Sequence, residues 1–130
     1  MPKHVRELIF VFAGGAAGTA MRVVVNIIGD GGRGSLMFVN VVGAFILGWF
    51  LARASSHHVH VNRFFAVGFL GSFTTFSAFA LESVLLADAG IWVGSAAWIA
   101  VSVSLGVVAA VAGRLVGGRV ATGRSNGTRW

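Results

Sequence analysis

Between Gly68 and Glu82 the chain reads GFLGSFTTFSAFALE. Glycines, hydroxyls and phenylalanines crowd together inside an apolar run that ends in a carboxylate. A plain membrane span needs none of that mixture. Gly, Ser and Thr at membrane depth point to backbone that leaves the regular helix, which a bilayer tolerates only where it is buried in protein or lines a polar cavity. At such a break, free carbonyls can bind a cation and free amides an anion. Thr75 and Ser77 add hydroxyl donors. Phe69, Phe73, Phe76 and Phe79 follow steps of four, three and three, and Glu82 continues the spacing. In a continuous helix they would share a face. Phe69 and Phe73 read as packing rings. Phe76 and Phe79 lie beyond the hydroxyls, and a ring edge, with its positive quadrupole character, can face an anion. The pattern is that of the working part of a channel or transporter, with the remaining segments holding it in place.

Two other polar side chains fall within apolar sequence. Gly14, Gly18, Arg22 and Asn26 are each four residues apart and form one stripe on a helix. Gly14 and Gly18 allow close approach of a neighbouring helix. Arg22 either faces a partner or a water-filled cavity, or snorkels to the interface. Asn40 stands alone in its segment. Its amide must find partners in the membrane, either as a structural bond between helices or along a pore.

The elements that must position these residues are membrane spans. The chain has 130 residues, 56% hydrophobic and 11% charged, with a mean hydropathy of +0.85. A soluble domain of this size carries far more charge. Four apolar segments, roughly 8–28, 36–52, 64–89 and 91–116, read as four transmembrane helices of one domain covering residues 1–130. The third is too long to stand upright: about 39 Å at about 1.5 Å per residue, against a hydrocarbon core of about 30 Å. It must tilt strongly or break, and Gly71 to Thr75 is the place for a break. Gly43 and Gly48 read as packing contacts in the second span. In the fourth, Ser102, Gly106 and Ala110 form a small-residue stripe that reads as a helix contact. Residues 117–130, rich in Gly, Ser, Thr and Arg, read as a disordered tail. Lys3 and Arg6 before an apolar run resemble the start of a signal peptide, but cleavage there would leave three spans in place. There is no cysteine, which excludes disulfides and thiolate metal sites. Of the four histidines, His57, His58 and His60 fall in one polar loop and read as solvated, without the spaced partners of a zinc site. The net charge of +6 speaks for membrane topology rather than nucleic acid in so apolar a chain.

The run from Gly68 to Glu82 resembles the GF-x-GG-x-TTFSTFS-x-E signature of the Fluc (CrcB) fluoride channels. Gly14 to Arg22, GGAAGTAMR, is similar to that family's first-helix pattern ending in arginine. Gly34 to Gly43, GSLMFVNVVG, is similar to its G-T-L-x-V-N-x-x-G pattern. The three motifs stand in the family's order in a chain of the family's size. The resemblance implies an all-α membrane protein of four transmembrane helices with a break in the third, forming an antiparallel, dual-topology-type dimer. It implies a fluoride-selective channel of the cell inner (plasma) membrane. Such a channel lets fluoride leave the cytoplasm passively and so protects the cell; it is not an enzyme. It implies a structural sodium ion (Na+) at the dimer interface, held by the backbone carbonyls of Gly71 and Thr74. The fluoride pathway would then use Phe76 and Phe79, with Asn40, Thr75 and Ser77 beside them, Glu82 near one end, and Arg22. Three departures stand out. The Gly-Gly of the signature is Gly71-Ser72, two of its hydroxyl positions are Ala78 and Ala80, and the hydroxyl track of the family's fourth helix meets only Gly, Ala and Val between Gly106 and Gly113.

Charge gives an orientation. The N-terminus, the second loop and the tail hold Lys3, Arg6, Arg53, Arg63, Arg114, Arg119, Arg124 and Arg129; the other side holds Arg33, with Arg22 if it snorkels that way. Both termini are expected inside. A chain with so strong a bias pairs either with itself, as a homodimer, or, as a fixed-topology subunit, with an oppositely oriented paralogue as a heterodimer. Fluoride and membrane lipid are the other expected partners. Two rivals explain less. A small four-span proton-coupled multidrug-type transporter needs a carboxylate deep in the first span, where only Glu7 stands, at its edge. A non-transporting membrane scaffold explains the glycine stripes but not the TTFS run with Asn40 and Glu82. No nucleophile–base pair or metal constellation marks an enzyme.

Overall fold

The computed structural model describes residues 2–53 and 59–125, with side chains through Arg119. In order the elements are α1 (Lys3–Ile28), α2 (Arg33–Leu51), α3 (Val59–Asn62), a π-helical segment (Arg63–Leu70), α4 (Gly71–Phe73), α5 (Phe76–Asp88) and α6 (Trp92–Ser125). Among the described residues, four helical spans are long and apolar enough to cross a membrane: Lys3–Ile28, Arg33–Leu51, Val59–Asp88 and Trp92–Arg119. No strand occurs among the described residues.

Glycine sets the packing. A Cβ on Gly14 would collide with the Phe64 carbonyl, and one on Gly18 with that of Phe69. α1 therefore lies in backbone contact along the π-helical segment, with both chains running the same way. Gly68 returns the contact against Val11. A second parallel pair forms between α2 and α6. Gly113 meets Phe45 and, one turn on, Gly117 meets Trp49, while Gly48 meets Ala110. First with third and second with fourth is the arrangement that up-down-up-down spans require. Lipid tails are as apolar as these side chains, so close van der Waals contact at small residues holds the helices together.

The third span breaks where the glycine and hydroxyl content placed it, but over only two residues. Thr74 (φ −76°, ψ 155°) and Thr75 (φ −142°, ψ 113°) are extended, between α4 and α5. The eight-residue π-helical run ahead of the break was not legible in the sequence; π geometry of this kind frequently marks functional regions. Three other expectations change. The small-residue contact on α6 runs through Ala110, Gly113 and Gly117, whereas Gly106 faces open space within the chain. α6 continues past Val116 to Ser125, so that part of the expected tail is helical, and residues 126–130 lie outside the described residues. His60 is half-buried and stacked on Phe10 at 4.9 Å, rather than solvated; His57 and His58 lie outside the described residues. The expected packing rings do pack: Phe73 is 5% exposed and stacks on Phe69 at 5.9 Å.

Because Gly18 meets backbone rather than a flexible side chain, Gly18→Val is expected to cost about 1–3 kcal/mol or more by overpacking. Gly34→Ala, at a helical position with open space around it, should be neutral or slightly stabilising, by up to about 1 kcal/mol. Thermal unfolding of the two purified variants in detergent, followed by size-exclusion chromatography, checks the contrast.

Candidate functional site

The break leaves peptide groups without their helical partners, and the site is built from how these are met. In an unbroken helix the Thr75 N–H would bond the Gly71 carbonyl. Instead it donates to Asn40 Oδ1 at 2.8 Å, and Asn40 Nδ2 donates back to the Thr75 carbonyl at 3.2 Å. One side-chain amide thus pairs with the N–H and C=O of one residue, as a neighbouring strand would. The Ala78 N–H, which would have bonded the Thr74 carbonyl, donates to Thr75 Oγ1 at 3.4 Å, a hydroxyl N-cap on α5. The Gly71 and Thr74 carbonyls have therefore both lost their usual donors to side chains. Thr74 itself turns inward. Its hydroxyl donates to the Leu70 carbonyl at 3.0 Å and its methyl presses on Gly43, which has no room for a Cβ.

On the outer side of the break a polar cavity of about 400 Å³ opens between α1, α2 and α5. Arg22 and Asn26 line it from α1, Arg33 from α2, and Thr75, Ser77 and Glu82 from the break and α5. The lower half of the α1 stripe thus faces a cavity, one of the two readings open for Arg22. Thr75 Oγ1 and Ser77 Oγ lie 3.2 Å apart. Glu82 accepts from Arg33 Nε at 2.6 Å, tying α5 to the start of α2.

The rings lie apart from this cavity. Phe76 is 79% exposed on the molecular surface and meets Phe79 with centroids 5.7 Å apart. Phe79 continues to Trp98 of α6 at 6.4 Å. Trp98 Nε1 donates to the Phe79 carbonyl and Ser95 Oγ to that of Ser83, fastening α5 to α6, while Ser83 Oγ donates to the Phe79 carbonyl within α5. Farther along α6 the Ser102 hydroxyl is buried without a hydrogen-bond partner.

Of the residues singled out from sequence, Arg22, Thr75, Ser77 and Glu82 share one cavity, Asn40 joins them through the Thr75 backbone, and Phe76 and Phe79 form a separate pair. Gly71 opens α4 and Thr74 ends it; Gly71 is exposed and Thr74 half-buried. Sequence reasoning missed Arg33 and Trp98. Arg33 was read only as a topology charge, and its spacing from Glu82, 49 residues, gives no signal. Trp98 sits in a helix whose apolar composition shows no period. No group of three or more His, Asp or Glu side chains able to hold a metal occurs among the described residues.

A four-span membrane protein with an interrupted third span and a cationic side chain in a polar cavity at the break belongs to the class of small integral membrane transport proteins. Comparison with known proteins narrows this. The family model described as CrcB-like protein, Camphor Resistance (CrcB), matches residues 9–114. A protein of Rhizobium johnstonii named fluoride-specific ion channel FluC is 37% identical over 118 residues, 85% of this chain and 94% of that protein. One of the same name from Roseobacter denitrificans is 38% identical over 117 residues, covering 83% and 92%. Fluoride-specific ion channel FluC 2 of Leifsonia xyli is 34% identical over 133 residues, covering 90% and 87%. The chain belongs to the CrcB (FluC) family.

Asn40→Leu removes both bonds to Thr75 and strands its N–H and C=O. A loss of about 2–4 kcal/mol is expected. Ser77→Ala, at an exposed hydroxyl, should stay within about 0.5 kcal/mol of the parent. Unfolding midpoints in detergent for the two variants test whether the asparagine holds the break.

Proposed function

We propose that the chain is a fluoride-selective channel of the inner membrane that passively lowers cytoplasmic fluoride. The observation that carries this reading is the break of the third span at Thr74 and Thr75, with Thr75 held by Asn40 and lining a cavity with one arginine of α1, in a member of a family whose relatives are named fluoride-specific ion channels. Fluoride is small and strongly hydrated. A selective path must replace its water by donors one at a time. Thr75 and Ser77 offer hydroxyls; Asn40 Nδ2 has a second proton beyond the one given to Thr75. Phe76 and Phe79 offer ring edges. Arg22 and Glu82 belong to the mouth rather than the narrow part, where a fixed cation would hold the anion too tightly to release it.

The conducting unit in this reading is an antiparallel dimer. The exposure of Phe76 supports it, since a ring left on the surface of one chain is available to a path completed by a second. The charge bias keeps both a homodimer and a pair with an oppositely oriented paralogue in play. For sodium, the fit rests on the two carbonyls freed at the break: Gly71 and Thr74 present hard oxygen donors of the kind alkali cations take. The bound ion would supply a fixed positive charge and a link between the two breaks of a dimer.

Fluoride efflux from liposomes holding the purified chain, read with a fluoride electrode and repeated with chloride, tests the function. Rapid efflux of fluoride alone supports it. Silence from folded protein, alone and with an oppositely oriented paralogue, overturns it. Phe76→Ile and Phe79→Ile each remove a ring edge from the proposed path, and each should slow efflux by up to about tenfold, about 1.4 kcal/mol in barrier; the unfolding midpoint should change little for the exposed Phe76 and fall modestly for Phe79, which also packs on Trp98. Replacing sodium throughout by a large organic cation should lower both the midpoint and the flux if the carbonyls hold the ion.

A further inference from the structure

Three charged side chains line the cavity at the break: Arg22 from α1, Arg33 from α2 and Glu82 from α5. Asp30 lies in the turn between α1 and α2 and does not line it. Taken alone, Arg22 and Glu82 would cancel and leave the mouth neutral, with a carboxylate 28% exposed on its wall. That is a poor entrance for an anion, because an unpaired negative charge in a cleft with low-dielectric walls lowers the local anion concentration. Arg33 changes the sum. Its Nε stands 2.6 Å from Glu82 Oε2, and its side chain is 54% exposed. The pair is internally neutral, which leaves the charge of Arg22 uncompensated in the cavity.

We infer that Arg33 is a positioning residue for anion entry: by pairing with Glu82 it keeps the mouth net positive and so raises the rate at which fluoride reaches the break. The inference rests on the channel reading given above. It assigns a role to a residue that touches no part of the proposed narrow path. A mere tether between α2 and α5 is the competing account, and the two differ in how charge changes combine. In the electrostatic account the mouth carries +1 in the parent, 0 without Arg33, +2 without Glu82, and +1 again without both. A tether is lost equally in all three variants.

The test is fluoride efflux from liposomes at about 10 mM ionic strength, where charges act over about 30 Å, and at about 1 M, where they act over about 3 Å. The conducting assembly is used, with the oppositely oriented paralogue if one is needed. At low salt Arg33→Gln should be roughly three- to tenfold slower and Glu82→Gln faster. The double variant should recover towards the parent, and Arg33→Lys should rescue the loss. At high salt the differences should collapse. Should Arg33→Gln not fold, the low-salt acceleration of Glu82→Gln and its disappearance at high salt decide the same point. Parent-like low-salt flux from folded Arg33→Gln overturns the inference, as does a double variant as slow as Arg33→Gln alone. Failure of the channel reading is visible separately, as a parent assembly that moves no fluoride at any salt.

Discussion

The structure depends on a hydrogen-bond debt in an apolar solvent. Extending Thr74 and Thr75 in the middle of a membrane span strands peptide groups that water would satisfy elsewhere. In a bilayer each orphan costs several kcal/mol. Asn40 answers with its donor and its acceptor at once, on the N–H and C=O of one residue. Asparagine suits the task because its side-chain amide carries both groups at the spacing of a peptide. Aspartate would lose the donor and add a charge, and leucine would supply neither. The rest of the second span follows from this constraint. Asn40 must face the break, so Gly43, one turn on, must lie against Thr74 and Phe73 and can carry no side chain.

Two kinds of close contact hold the break in place. Backbone-to-backbone packing through Gly14, Gly18 and Gly68 fixes the first half of the third span on α1. Hydroxyl and indole donors from Ser95 and Trp98 fix the second half on α6. The two halves are thus anchored to different helices, while α2 grips both α6, through Gly48, and the break, through Asn40. A rigid scaffold with one irregular segment is what a site built from backbone atoms requires, since freed carbonyls and amides are useful only at fixed positions.

Much of this was legible in the sequence, for identifiable reasons. Four spans follow from hydropathy, and the break follows from a span too long and too rich in Gly, Ser and Thr. Gly14 and Gly18 declare their packing by spacing along one face, and Asn40 declares a need for partners by standing alone. What could not be read is long-range and unpatterned. The partner of Asn40 is a backbone peptide, which leaves no mark in the sequence. Arg33 and Glu82 meet only because the turn after α1 brings the start of α2 beside α5. The stripe of Ser102, Gly106 and Ala110 misplaced the α6 contact because α6 is apolar all round, so small residues occur on every face; the contact uses Ala110, Gly113 and Gly117. The π-helical run has no compositional signal distinct from α-helix.

The distribution of charge follows the same logic as the distribution of hydrogen bonds. Full charges are tolerable where water reaches them, and Arg22, Arg33 and Glu82 all line an open cavity. Beyond the break, Phe76, Phe79 and Trp98 present only rings, with backbone carbonyls already engaged by Ser83, Ser95 and Trp98. An anion moving from the first region to the second would trade long-range attraction for short-range neutral contacts. Attraction raises the rate of arrival without deepening the well in the narrow part, and weak neutral contacts allow departure. Moving the arginine four residues earlier along the α1 stripe, to Gly18, would defeat this division twice over. It would replace a glycine in backbone contact with Phe69, and it would move the cation out of the cavity and against the backbone of the third span's first half. The order along α1, glycines first and arginine after, therefore serves packing, and in the proposed channel it serves entry as well.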